Sequence, residues 1–395
     1  MTRCGSPSLQ WLIDAQSEDH QDLVLRVLEA REDLRCHARY VSQYHHKLPL
    51  LGRLPRGIDS NAVSYYSVSA ATTPETIHHN RYVDVLPFDR TRVLASGKSC
   101  CSDDGSDVDE GRYLNANWIL ERFGGKWWIA SQAPLPHTAH AFLSLIYDPI
   151  TLPSPHTSDT SLRHCCRRSA LQSRVRTVVQ LTQNVEHGRR KAHTYFPGEI
   201  GQTEVVSSEQ NASSAPLRVT LLDSKTAPSA RCVISTVSIS SCLEDSGNEA
   251  VTFRHLLYTA WPDHGVPLPE DRASLLEFVK LVDSTNRCAE VSGDASRDPD
   301  PPVIVGCSAG IGRTGTFIAL SSLLRDQGVL PPPAHPTPFS VLQPSPLGEL
   351  SEDVKWDHVA LEVDTLREQR PGMVQRDEQL FSIYALLHDG CLTSR

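Results

Sequence analysis

The chain has 395 residues, of which 39% are hydrophobic, and a formal net charge of -9 at pH 7. That apolar share suffices for a sizeable core, while the negative balance argues against a nucleic-acid backbone as the main partner, because phosphates call for a positive footprint. No stretch approaches the ~18 apolar residues of a membrane span and residues 1–10 lack the form of a secretory leader, so neither membrane insertion nor secretion is expected.

The 11 cysteines are odd in number and irregularly spaced, which fits neither a disulfide framework nor a zinc site and points to reduced thiols in the cytoplasm, with nuclear residence left open.

Along the chain, residues 17–35 place Leu23, Val24, Val27, Leu28 and Leu34 on one side of a helix, so residues 1–60 form a helical start. Patterned blocks at 80–93 and 113–133 are separated by a polar, acidic stretch near 95–110 that reads as a loop. A second loop insertion near 151–173 contains His164-Cys165-Cys166 and a run of arginines. Adjacent cysteines without a second pair at ligand spacing do not make a metal site, and the arginines read as solvated loop charge.

Residues 175–182 read as a strand, 198–215 as a third polar insertion, and 217–222 with 232–240 as a hairpin. The Asn211-Ala212-Ser213 sequon inside that insertion reads as a loop. A strand over 252–259 leads into Trp261-Pro262-Asp263, and Leu275, Leu276, Val279 and Val282 have helical spacing. Val303-Ile304-Val305 then runs as a strand into a glycine-rich turn, followed by a helix with Phe317, Leu320, Leu323 and Leu324 inside. Residues 327–352 are rich in Pro, Ser and Gly and read as a loop or a disordered insertion. Trp356, Val359, Val363 and Leu366 define a further amphipathic helix, ended by Pro371-Gly372, and Leu380, Phe381, Tyr384 and Leu387 define the last one. With no internal repeat, the reading is one α+β domain over 1–395.

Chemistry concentrates at Cys307-Ser-Ala-Gly-Ile-Gly-Arg313, a cysteine and an arginine spanning the turn between strand and helix. Backbone N–H groups of such a turn point inward as an anion nest, and the helix that follows adds the positive end of its dipole. A phosphate dianion fits there, and the same field favours a thiolate, the nucleophilic form of cysteine. Arg313 offers a planar fork that matches two phosphoryl oxygens and can hold charge developing in the transition state. Gly310 and Gly312 let the backbone curl close to the anion.

The residues Gly310-Ile-Gly312-Arg-Thr-Gly315 also match a dinucleotide fingerprint, but the next segment is proline-rich where a second parallel strand ending in an acid belongs. A Walker loop fails because Thr316, not lysine, follows Gly315. In Trp261-Pro262-Asp263-His264-Gly265, Asp263 is placed to protonate a phenolic leaving group, in a stiff segment with a hinge. By itself an aspartate between Pro and Gly is ordinary turn chemistry. Its weight comes from occurring with the cysteine motif.

Taken together these motifs resemble the catalytic domains of the receptor and non-receptor type protein tyrosine phosphatases, over about residues 77–390. Asn80-Arg-Tyr82-Val-Asp84-Val-Leu-Pro87-Phe-Asp89 is similar to that family's phosphotyrosine-recognition loop. Tyr113-Leu-Asn115-Ala-Asn117 and Ile129-Ala-Ser-Gln132-Ala-Pro134 are similar to its framework motifs. Leu181-Thr182 with Glu186, Gly188, Lys191 and Tyr195 resembles its glutamate loop, and Gly372-Met-Val-Gln375 with Gln379 its glutamine loop.

The resemblance implies an α+β fold with a central twisted mixed β-sheet flanked by helices and polar loop insertions. It implies hydrolysis of phosphotyrosine in protein partners through a phosphocysteine at Cys307, without metal or cofactor. Ser308, Ala309, Gly310, Ile311 and Gly312 would cradle the phosphate with Arg313, and Asp263 would act as acid and then base. Tyr82 would flank the substrate ring and Asp84 would bond the peptide backbone. Gln375 would position the hydrolytic water and Thr314 would help the thiolate leave. Glu186 would brace Arg313, with Lys191 and Gln379 in support.

Where the family has histidine before the nucleophile this chain has Gly306, which removes a source of hydrogen bonds to the loop. The alternatives are a weakly active or inactive phosphotyrosine-binding module, and a dual-specificity or lipid phosphatase. Tyr82 at the rim argues against the latter, since a deep cleft excludes a short phosphoserine.

Overall fold

A computed structural model describes residues 9–43, 59–95, 111–153, 172–209, 214–243, 250–262, 265–288 and 298–393. Three helices open the chain: α1 (Gln10–Asp14), α2 (Glu18–Gln43) and α3 (Ser60–Tyr65). Val24 and Leu28 of α2 are buried, as the helical spacing predicts, and the helix runs on past residue 35 to bury Ala38 and Val41 as well. Strands β1 (Arg92–Ala95), β2 (Arg112–Leu120) and β3 (Trp127–Gln132) follow, then helix α4 (Ala139–Tyr147), which the sequence pattern does not reveal. Its sequence AHAFLSLIY is buried on all sides except at Tyr147, so it shows no polar face to mark the helical period.

Short strands β4 (Ile150–Thr151) and β5 (Gln172–Ser173) pair at the base of the 151–173 insertion, whose residues 154–171 lie outside the described residues, as do 96–110. Next come β6 (Thr177–Gln180), the small pair β7 (Val185–Glu186) and β8 (Arg189–Arg190), and β9 (Thr203–Val206). This last strand corrects the reading of 198–215 as loop throughout: it pairs antiparallel with β10 (Leu217–Ala227) at the sheet edge, and its mostly exposed sequence TEVV has two adjacent valines and no apolar alternation to betray it. The hairpin of β10 with β11 (Cys232–Ser241) is present as expected, and β12 (Val251–Tyr258) continues it. Helix α5 (Arg272–Arg287), strand β13 (Val303–Cys307), and helices α6 (Gly312–Asp326), α7 (His358–Gln369) and α8 (Asp377–Thr393) complete the fold.

The strands form one nine-stranded mixed sheet in the order β1-β2-β3-β13-β6-β12-β11-β10-β9, with the central pairs β3/β13, β13/β6 and β6/β12 parallel. Strand alternation divides the core. Ile304, Val178 and Ile129 face α4 on one side, while Val303, Val305, Val179 and Trp128 face α5 to α8 on the other. A strand covered on both faces needs the continuous apolar run that Val303-Ile304-Val305 supplies.

Trp356, expected inside the α7 stripe, lies instead ahead of the helix. There Asp357 caps the free N–H groups of Val359 and Ala360, and Trp356 stacks on His20 with ring centroids 4.4 Å apart. Residues 327–352 form a loop with one short 3-10 helix at Phe339–Val341, and it is anchored, with Leu330 and Leu350 buried.

Candidate active site

The site begins where β13 ends. Cys307 is its last residue and α6 starts five residues later, so the chain from Ser308 to Ile311 curls between the strand end and the helix N-terminus. Gly310 has φ +73, and a Cβ there would stand 2.2 Å from the carbonyl oxygen of Ser131 in β3, so only glycine fits. Its N–H lies 3.3 Å from Cys307 Sγ.

Burial by itself pushes the Cys307 thiol up, but the Thr314 hydroxyl, the Arg313 guanidinium and the N–H groups of Thr314 and Gly310 outweigh it and hold the thiol below its ordinary range. The Thr314 hydroxyl is buried and has no well-aligned hydrogen-bond partner among the described residues, while lying close enough to the sulfur to favour the thiolate.

Arg313, on the first turn of α6, is gripped by Glu186: Nη1 donates to Oε1 at 2.7 Å and Nη2 to Oε2 at 2.8 Å. Glu186 sits at the end of β7, and its Oε1 also accepts from Thr182 Oγ1 at 2.8 Å and the Gln183 N–H at 3.0 Å. A carboxylate fixed in this way fixes the guanidinium plane. Tyr82 reaches the loop through a 2.8 Å contact between its hydroxyl and Ser308 Oγ, which in turn donates to the Lys191 carbonyl at 2.7 Å. Recognition loop, cysteine loop and glutamate loop therefore meet at Ser308.

Asp84 and Val83 stand exposed beside Tyr82, with Val83 at 86% exposure. Gln379 lies against the cysteine loop, since a Cβ on Gly312 would meet its Oε1 at 2.9 Å, and it accepts from the Arg376 N–H. Gln375 is exposed in the loop just before. That loop touches the site through its neighbour Val374, which adopts φ 55 and donates its N–H to the Ile311 carbonyl at 3.2 Å. Asp263 lies outside the described residues, whereas Trp261 before it is buried and donates Nε1–H to the Gly265 carbonyl.

Arg370 carries no signal in the sequence that marks it for the site. It ends α7, is fully buried, and donates Nε–H to the Gly310 carbonyl at 2.8 Å and Nη2–H to the Ala309 carbonyl at 3.0 Å. Its remaining donors go to Asn117 Oδ1 at 2.7 Å and Asn115 Oδ1 at 2.8 Å in β2. These bonds fix the Ala309 and Gly310 carbonyls on the side of the loop that faces Arg370. Desolvation lowers its pKa to about 10, so at neutral pH it stays cationic under the loop. In the sequence, an arginine at a helix end before Pro-Gly reads as an exposed C-terminal charge.

Among the described residues no group of three or more His, Cys, Asp or Glu is placed to hold a metal ion, and no helix is long and apolar enough to cross a membrane.

The family profile described as Protein-tyrosine phosphatase matches residues 76–150 and 167–328, more than half of the chain. Among curated proteins, the chain is 31% identical over 257 residues to receptor-type tyrosine-protein phosphatase eta of Gallus gallus, covering 65% of this chain and 14% of the relative. It is 30% identical over 260 residues to tyrosine-protein phosphatase non-receptor type 14 of Homo sapiens, covering 65% and 18%. It is also 30% identical over 325 residues to receptor-type tyrosine-protein phosphatase H of Homo sapiens, covering 82% and 21%. The chain thus spans only a minor part of the length of these relatives.

Proposed function

The chain belongs to the protein-tyrosine phosphatase family, and on that premise we propose that it hydrolyses phosphotyrosine in proteins through a phosphocysteine intermediate. The observation that carries the reading is the pairing within one loop of a thiol held toward its thiolate and an arginine locked by Glu186. In the first step Cys307 Sγ bonds to phosphorus as the bond to the phenolic oxygen breaks, and Asp263 gives its proton to the leaving group. Arg313 and the N–H groups of residues 308–312 hold the three non-bridging oxygens.

In the second step water placed by Gln375 attacks phosphorus, Asp263 takes its proton, and sulfur departs as a thiolate favoured by Thr314. Tyr82, tied to the cysteine loop at Ser308, walls the cleft beside the substrate ring. Among the described residues, the thiols of Cys36, Cys232, Cys242 and Cys288 suit a reducing compartment, which supports cytoplasmic residence.

One assay tests the reading. Purified chain is expected to turn over a phosphotyrosyl peptide and leave its phosphoseryl counterpart intact, and Cys307→Ser should abolish turnover while keeping phosphopeptide binding. Asp263→Ala should lower kcat by roughly 10²–10⁴ on the peptide and far less on an aryl phosphate whose leaving group needs no proton. Phosphotyrosine binding without turnover by the parent chain would favour the binding-module alternative that Gly306 raises.

A further inference from the structure

Loop 327–352 roofs a cavity of about 590 Å³ whose floor is α7 and whose wall includes Tyr65 of α3 and Arg90. The roof is fastened. Arg31 of α2 donates to the Leu347 and Gly348 carbonyls at 3.2 and 2.9 Å, Tyr65 donates to the Gln343 carbonyl at 3.1 Å, and the Thr337 N–H donates to the Gly125 carbonyl at 2.9 Å. The volume lies in the range of small-molecule sites, ~300–1,000 Å³. Phe339, Leu342 and Leu361 supply apolar surface.

Charge in the cavity does not balance. The floor acids Asp364 and Glu368 are already neutralised from α2, by Arg31 at 2.9 Å and Arg35 at 2.7 Å respectively. Glu349 and Lys355 stand exposed at the rim, where Lys355 pairs with Glu352 at 2.6 Å, so the single rim acid left over does not match two arginines. Arg90 and Arg122 have no carboxylate at ion-pair distance among the described residues. Arg90 Nε is buried without a hydrogen-bond partner, its Nη2 donates to the Glu368 carbonyl, and its guanidinium lies over the Tyr65 ring at 3.8 Å. Arg122 makes one long side-chain bond, 3.4 Å to Thr365 Oγ1, and lies over the Phe339 ring at 4.5 Å. Guanidinium groups drawn from water without a counter-charge are costly unless something supplies one, and desolvation accordingly lowers the pKa of Arg90.

We propose that this cavity binds an amphipathic anion, with a carboxylate, sulfonate or phosphate head between Arg90 and Arg122 and an aromatic or acyl body against Phe339, Leu342 and Leu361. The site stands apart from the cysteine loop and does not depend on the catalytic reading.

The probe is 8-anilinonaphthalene-1-sulfonate, followed by its fluorescence with the folded chain, alongside the neutral N-phenyl-1-naphthylamine. Saturable binding of one sulfonate per chain is expected, unaffected by Cys307→Ser and not displaced by vanadate. Arg90→Gln with Arg122→Gln should raise its Kd at least tenfold and change the neutral probe's Kd much less. Should that double variant melt, Ser340→Trp, which narrows the mouth from the exposed roof and keeps both arginines, should weaken both probes. No binding by the parent, unchanged sulfonate affinity in the folded double variant, displacement by vanadate, or unchanged affinity in Ser340→Trp would each overturn the proposal.

Discussion

Arg370 does at the underside of the cysteine loop what Arg313 is proposed to do at its mouth. Four oxygen atoms accept from it: the Gly310 and Ala309 carbonyls and the side chains of Asn115 and Asn117. Arg370→Met would leave buried acceptors unmade at about 1–3 kcal/mol each and free the carbonyls to swing inward. The expected outcome is a lower melting temperature together with weaker vanadate inhibition and a fall in kcat/KM. A variant that loses stability while binding vanadate as tightly as the parent would separate Arg370 from loop geometry.

Gly306 is the other residue whose meaning changes on folding. As a departure from the family it reads as a lost hydrogen-bond donor, yet in place it is also a close approach: a Cβ there would stand 2.7 Å from the Ser131 carbonyl of β3. The cavity beside it, lined by Gln180, Tyr195 and Phe142, measures about 20 Å³, room for one water and not for an imidazole. Gly306→His is therefore expected to cost about 1–3 kcal/mol through overpacking, read by urea unfolding, with no gain in the pH profile of Cys307 alkylation. A histidine variant as stable as the parent and alkylated at lower pH would show that β3 and β13 separate readily.

Among elements, α7 carries the fully buried Glu362, whose Oε2 accepts from Ser322 Oγ of α6 at 2.7 Å and whose two oxygens take the Arg122 N–H at 3.3 and 3.2 Å. Burial raises its pKa from the ordinary 4.5 to about 8 against those hydrogen bonds, and Glu121 nearby adds to the rise. The folded carboxyl therefore keeps its proton to about pH 8 while the unfolded one loses it near 4.5. Through that window the folded state binds more protons, so its stability falls as pH rises, by up to about 1.4 kcal/mol per pH unit. Glu362→Gln mimics the protonated acid and should flatten the fall in melting temperature between pH 5 and 8. Parallel profiles for parent and variant would mean that Glu362 is ionised in the fold.

For the whole molecule, the N-terminal helix is joined to the rest by a buried charge network. Arg35 of α2 donates to Glu368 Oε1 through Nε at 3.0 Å and through Nη2 at 2.7 Å, and it also pairs with Asp364, while the Tyr66 hydroxyl donates to Glu368 Oε2 at 2.8 Å. Val24 and Leu28 of α2 lie in the same apolar cluster as Cys307 and Ile311. Removing one member of a buried ionic network costs about 3–5 kcal/mol, so Arg35→Met is expected to lower stability by that order in a single cooperative transition. A separate early transition, or a loss under about 1 kcal/mol, a value typical of exposed pairs, would make the N-terminal helix a peripheral addition.

The amino-acid order by itself determined the strand–turn–helix setting of the cysteine loop, because a strand, a tight glycine turn and a helix start are local events that Val303-Ile304-Val305, Gly310 and the apolar face of α6 encode within some twenty neighbouring residues. It also determined the α2, α5 and α8 stripes, the α7 stripe apart from Trp356, and the β10/β11 hairpin, whose periodicities need no distant partner. Edge strand β9 and helix α4 were illegible because one is four residues long with its two valines adjacent and the other is apolar nearly throughout, so neither shows a period. Only the tertiary structure decided that Arg370 lies under the loop, that Gly306 is a point of strand contact, and that the proline-rich loop roofs a cavity lined by two arginines without a carboxylate at ion-pair distance among the described residues. Each depends on contacts between residues far apart in sequence, such as the 60 positions between Arg370 and Gly310, and no local pattern records which distant backbone a side chain will meet.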